Sequence, residues 1–215
     1  FKQKTAYEML RSLVGSEMCI RDRFYISSRL RSEGNMKFPV ETSDYYFGIN
    51  GTSLITFDNY ALLFRLRLGH ISSHMIDGYT DKDWRFKKDP FVYSREFVDF
   101  VTSIKKDFLR LYLGITAIFS TIPKDVNKII PQLGFDTDIE LSENIRFISG
   151  YDFKLNGYND KYNGINSFKL GFRYLTYKNL AVELNYGYYS GLSMHGMFYK
   201  EKDNYHSIGF FVIFY

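Results

Sequence analysis

Polar and apolar residues alternate with a period of two along most of this chain. In residues 144–156 (NIRFISGYDFKLN), Ile145, Phe147, Tyr151, Phe153 and Leu155 share one face, and Arg146, Gly150, Asp152 and Lys154 the other. Residues 166–177 set Phe168, Leu170, Phe172 and Tyr174 against Lys169, Gly171 and Arg173. Residues 180–190 set Leu180, Val182, Leu184, Tyr186 and Tyr188 against Glu183, Asn185 and Gly187. Residues 106–120 and 131–141 behave likewise, with Leu109, Leu111, Leu113 and Ile115, then Leu133, Phe135, Ile139 and Leu141, on the apolar side. Such alternation marks strands with one apolar and one polar face. The pattern predicts strands at 44–57, 60–74, 91–104, 106–119, 130–141, 144–156, 166–177, 180–190 and 205–215.

Two all-β architectures fit. A soluble barrel or sandwich points the apolar faces inward. An outer-membrane barrel points them at lipid and lines its lumen with the polar faces. Strand length favours the second, because crossing a bilayer takes about 9–11 residues where an ordinary strand has about 5–6. The orientation of Phe168, Leu170 and Phe172 discriminates between them. The connections add a check. Those after 57, 104, 141 and 177 read as tiny, those after 74, 119, 156 and 190 as long and polar. Periplasmic turns and extracellular loops alternate in this way in up-and-down barrels. Bacterial barrels are usually even-stranded, so nine strands imply another within 24–43 or beyond it, and ten to twelve in an intact protein. The C-terminal SIGFFVIFY (207–215) resembles the terminal strand that outer-membrane assembly machinery reads, which implies that machinery as a partner.

Composition agrees: 19 Tyr and 21 Phe against four Pro, residue types that suit strands. No run of eighteen apolar residues supplies a transmembrane helix. Residues 1–23 (FKQKTAYEMLRSLVGSEMCIRDR) stand apart. Written back into DNA, Lys2 to Met9 resembles a flow-cell primer of high-throughput sequencing, and Leu13 to Arg23 the transposon-end adapter joined to it. The codons between leave room for a sample index. These residues are therefore expected to be foreign and to pack little against the rest, with 24–43 a truncated remnant, 44–215 the barrel, and any signal peptide lost. They hold five of the 28 Lys and Arg and three of the 24 Asp and Glu, so the remainder carries 23 cations against 21 anions. That balance suggests no nucleic-acid partner. The single cysteine, Cys19, also lies there, so disulfides, thiolate metal sites and a cysteine nucleophile drop out, and no cofactor is implied.

The polar faces carry Arg65, Arg67, Arg110, Arg146, Lys169 and Arg173 beside Asp136, Asp138, Asp152 and Glu183. Mixed signs in a narrow lumen read as an internal ion-pair network rather than a charge-selective pore.

One constellation carries chemistry. In RLRLGHISSHMIDGY (65–79), parity continued from Leu66 and Leu68 puts His70, Ser72 and His74 on the lipid face. In 91–104, Val98, Phe100, Thr102 and Ile104 take the lipid face, and so do Ser94 and Glu96. A register pairing His70 with Glu96 also pairs Ser72 with Ser94, and paired residues share a face. A His, a Ser and a carboxylate then meet outside the barrel near outer-leaflet depth, where polar groups are costly without a role. The catalytic candidates are Ser72 as nucleophile, His70 as base and Glu96 as orienting acid. Ser73, His74, Ser94 and His195 are accessory candidates, although His195, in GLSMHGMFY, reads as a plain loop residue. The competing reading places these groups in the headgroup zone, and a bulge at Gly69 would turn His70 and Ser72 into the lumen. The rival function is a non-enzymatic structural barrel or narrow channel.

The constellation resembles the lipid A deacylase barrels, whose His-x-Ser pair and adjoining-strand Glu lie on the barrel exterior. That resemblance implies an acyl-ester hydrolase acting on outer-membrane lipid, lipopolysaccharide or phospholipid. It departs in two ways: the family's gap to its Glu is much shorter, and an Asn usually stands at the position of Ser73. From about 43 to 215 the chain also resembles domain-of-unknown-function family 1207, predicted bacterial envelope proteins, through RLRLGHISSHMIDGY, YSREFV and YYSGLSMHGMFY. That likeness implies the envelope, and the bacterial outer membrane as location, without an activity.

Overall fold

The computed structural model describes residues 16–81, 83–176 and 180–214, with first-strand side chains from Phe24 onward. Residues 1–15, the Cys19 side chain, Tyr177 and the terminal Tyr215 lie outside what is described. Ten antiparallel strands form one sheet in sequence order, curled into a half-barrel. They are β1 Ser16–Leu30, β2 Val40–Thr56, β3 Ala61–Met75, β4 Tyr93–Lys106, β5 Leu109–Ile122, β6 Ile129–Ser142, β7 Ile145–Tyr158, β8 Lys161–Leu175, β9 Leu180–Leu192 and β10 Lys202–Phe214. No ladder joins β1 to β10 among the described residues. The two edges nevertheless approach each other at the loop end, where Arg29 of β1 lies 3.6 Å from Asp203 of β10.

The apolar faces point outward. Leu66, Leu68, Leu113, Leu133, Phe172, Leu184, Ile208 and Phe210 are all exposed. Phe172 is 54% exposed, and neither Phe168 nor Leu170 belongs to the buried core, so the soluble arrangement with apolar faces inward is excluded. Inside, the expected ion pairs form. Asp99 takes Arg65 at 3.1 Å and Arg67 at 3.4 Å, and Arg110 meets Asp136 at 2.6 Å. Asp138 is shared by Arg146 and Arg173, and Glu183 by Arg173 at 2.8 Å and Lys169 at 2.7 Å. Lys154 and Asp152 pair at 3.3 Å.

Two expectations are corrected. Residues 16–23 do not stand apart: Ser16–Arg23 pair residue by residue with Gly48–Ile55. An unpaired edge offers a row of free N–H and C=O groups that accepts an extended segment with little regard to its side chains. The connection after 156 is not a long loop either. β7 and β8 extend until only Asn159 and Asp160 remain between them, at φ of 51° and 58°. Positive φ at both central residues is the tight-hairpin geometry that Asn and Asp tolerate.

β3 passes Gly69 without a bulge. Gly48 and Gly69 face each other across β2 and β3, and a Cβ on Gly69 would stand 2.7 Å from the Phe97 ring and 2.9 Å from that of Tyr46. The missing side chain is what admits these two buried rings to the lumen. Gly69→Ala should therefore cost about 1–3 kcal/mol through overpacking. An unchanged urea midpoint in detergent would show that the rings have room to move.

Candidate functional site

The continuous register of β3 against β4 pairs His70 with Glu96 and Ser72 with Ser94, all four on the outer face. His70 Nδ1 lies 2.9 Å from Glu96 Oε1, and the Ser94 hydroxyl donates to the same oxygen at 3.1 Å. With Nδ1–H committed to the carboxylate, Nε2 is the ring atom left to accept a proton. The pair sits in an open groove of about 680 Å³ walled by Phe24, Phe47, Ile49, Leu68 and Phe119.

Sequence reasoning missed Ser120. Between β4 and β5 the ladder steps from Phe97–Ile118 to Glu96–Ser120, leaving Phe119 as an extra residue. This β-bulge puts Phe119 and Ser120 both on the outside, where strict alternation would have turned Ser120 inward. Ser120 stands directly opposite Glu96 in the ladder. His70, Ser94 and Ser120 thus flank Glu96 from three adjacent strands.

Ser72 shares the face, and it is half-buried. Among the described residues no hydrogen bond joins its hydroxyl to His70 or Glu96. His74 also points outward, its ring edge-on to Tyr45 at 5.7 Å, and makes no contact with the His70 pair. Ser73 is separate: it is 1% exposed, faces the interior, and accepts the Met197 amide at 3.2 Å.

His195 is not a plain loop residue. Residues 193–201 fold down into the loop end of the barrel, burying Met197 and Phe198 to 1% exposure each. His195 Nδ1 lies 3.3 Å from Asp44 Oδ2, and the Gly196 amide donates to the same oxygen at 3.1 Å. This segment is a plug, and His195 belongs to it rather than to the exterior pair. Its far end is tied down by Asp125, which takes Lys200 Nζ at 2.7 Å and the Tyr199 hydroxyl at 2.8 Å. Burial pushes the Asp125 carboxyl up, but the hydrogen bonds from Lys200 and Tyr199 outweigh it and hold the group below its ordinary range. A depressed carboxylate stabilises above its unfolded pKa of about 4 and loses that contribution as pH falls through the folded value. The plug should loosen in acid, and Asp125→Asn should loosen it at neutral pH. Hydrogen-exchange protection of the Gly196 and Met197 amides reads both; protection unchanged by Asp125→Asn would mean that the clasp is decorative.

The family model described as Protein of unknown function (DUF1207) matches residues 40–214. No curated protein matches the chain. Among solved structures, that described as outer-membrane expressed OmpT of Vibrio cholerae aligns with a TM-score of 0.47 at 10% identity. The alignment covers 80% of this chain, and this chain spans 62% of that one.

Proposed function

The chain belongs to the DUF1207 family over residues 40–214, and from that premise we propose an outer-membrane β-barrel that hydrolyses acyl esters at its lipid-facing surface. The membrane part rests on the exposed apolar faces of consecutive strands, on the polar lumen and on strands of 13–17 residues, long enough to cross. In this reading the tiny turns lie in the periplasm and the plug in the extracellular mouth. β10, with Ile208, Phe210, Val212 and Phe214 outward and one edge free, is the strand offered to the assembly machinery.

The observation that carries the hydrolase reading is the His70–Glu96 pair, flanked by Ser94 and Ser120 on an apolar outer wall. A carboxylate and its hydrogen-bonded imidazole there cost desolvation and are worth keeping only for a use. The acyl chain of an outer-leaflet lipid would lie along Phe47, Ile49, Leu68 and Phe119. Ser72 Oγ would attack the ester carbonyl carbon as His70 Nε2 takes its proton, with Glu96 stabilising the imidazolium. That proton would pass to the departing alkoxide, and water, deprotonated by the same nitrogen, would release the fatty acid and restore Ser72. A half-turn of the Ser72 or His70 side chain on substrate binding would have to bring the two together, since catalytic hydrogen bonds are often long without substrate. The test is release of fatty acid from lipopolysaccharide or phospholipid in mixed micelles by the full chain. Release that His70→Ala abolishes supports the proposal; none from either lipid class overturns it.

The second reading, a non-enzymatic structural barrel, is favoured by one observation: the absence of a Ser72–His70 hydrogen bond among the described residues. The plug and the ion pairs weigh against the variant in which the barrel is a channel.

A further inference from the structure

Beneath the plug the lumen keeps a cavity of about 640 Å³, within the usual span of small-molecule sites. Tyr25 of β1 and Tyr205 of β10 both line it, so the two sheet edges enclose it together. A second space of about 290 Å³ shares Gln132, Asp152, Ser167 and Lys169 with it and leads toward the turn end. The cavity is thus closed above by residues 193–201 and approached from below.

Two of the carboxylates that line it are engaged away from Arg95: Asp44 faces the plug at His195 and the Gly196 amide, and Asp152 pairs with Lys154. The wall made by β3 and β4 carries the guanidinium groups of Arg65, Arg67 and Arg95 and a single carboxylate, Asp99, which is committed to Arg65, Arg67 and the Thr116 hydroxyl. Arg95 has no carboxylate within ion-pair distance among the described residues, and its Nε is buried without a hydrogen-bond partner. The other interior cations named above each have an acid, and Lys154 and Lys169 on the opposite wall are paired with Asp152 and Glu183. An uncompensated guanidinium inside a barrel costs free energy, and a planar fork of donors is matched by a carboxylate or phosphate. Rings surround it: Phe97 lies 5.8 Å from Arg95 and 5.5 Å from Arg67, with Tyr46 at 5.8 Å from Arg67 and Tyr93 also on the wall.

We propose that this cavity is a binding site for a small aromatic carboxylate, its anion seated on Arg95 and its ring against the wall of Tyr46, Tyr93 and Phe97. The site is independent of the exterior ester chemistry: His70 and Glu96 lie on the other side of the sheet, and neither reading needs the other. The anion supplies the missing counter-charge, and the flat ring matches walls that a small aliphatic acid or inorganic phosphate would leave unfilled.

The experiment is titration calorimetry on the full chain in detergent, with benzoate as probe and acetate and inorganic phosphate as comparison. Saturable binding of benzoate is expected, with acetate and phosphate at least about tenfold weaker. Arg95→Met should remove binding, and Arg95→Lys, which keeps the charge but loses the fork, should weaken it by about tenfold. Removing an unpaired interior cation should leave the barrel folded, with heat-modifiable gel mobility unchanged. No saturable benzoate binding, or equal binding by Arg95→Met, overturns the site. Phosphate as tight as benzoate overturns its aromatic preference, and loss of the folded band in Arg95→Met would show Arg95 to be a structural residue and end the proposal.

Discussion

Ser72→Ala should reduce fatty-acid release by about a thousandfold or more while the barrel stays folded. The expectation follows from position. Ser72 is two residues along β3 from His70 and on the same outer face, roughly 7 Å away along the strand, which two side chains can bridge. Ser94, by contrast, is committed to Glu96 by a hydrogen bond, and Ser120 stands opposite Glu96 on the neighbouring strand. Ser94→Ala and Ser120→Ala should therefore lower the rate far less, through poorer orientation of Glu96, and should do so together with a shift in the pH profile of kcat/KM. If Ser72→Ala leaves the rate intact and Ser94→Ala removes it, the nucleophile has been assigned to the wrong register pair. If neither matters, the exterior pair is structural.

Asp99→Ala should be a damaging change to stability, costing about 2 kcal/mol. Asp99 is 1% exposed and is the acid that Arg65 and Arg67 both contact; its loss leaves Arg67, 26% exposed, without a carboxylate, whereas Arg65, 38% exposed, can be hydrated. The Arg110–Asp136 pair makes a useful contrast. It is tighter, at 2.6 Å, yet both side chains are 41% exposed, so water can replace the missing partner. Asp136→Ala should cost under about 1 kcal/mol. Urea midpoints in detergent decide the matter: equal losses from the two variants would mean that the lumen at Asp99 is as wet as that at Asp136.

The frame of the barrel was open to reading because its signal is local. A strand that faces lipid on one side and water on the other must alternate residue by residue, and Phe168 to Arg173 or Leu180 to Gly187 carry that pattern without help from the rest of the chain. The exterior His70–Glu96 pair follows from the same parity plus one register. What escaped had no local period. Residues 16–30 are the exception: they do alternate, Met18, Ile20, Phe24, Ile26 and Leu30 against Glu17, Arg21, Arg23 and Arg29, but setting 1–23 aside as foreign hides the strand. YNDKYNGINS reads as loop by composition, yet two residues with positive φ suffice to turn it and the remainder is strand. His195 and Asp44 are far apart in sequence, and nothing near either one announces that a loop folds inward to join them. Asp99 and Arg95 lie on the polar side of β4, where nothing local says which guanidinium an acid will reach.

The extra residue at Phe119 makes β5 a strand in two phases. From Leu109 to Ile118 odd positions look outward; from Ser120 to Ile122 even ones do, with Thr121 buried inside. Pulling the bulge straight with Phe119 kept in the ladder would invert the whole upper end: Ser120 would swing into the lumen, Thr121 would turn to the outer face, and Ile122 would enter the cavity. Deleting Phe119 would instead merge the two phases into one and leave Ser120 opposite Glu96. The bulge is therefore a clutch between the two surfaces of the sheet, coupling Ser120 to Glu96 without altering any chemical group.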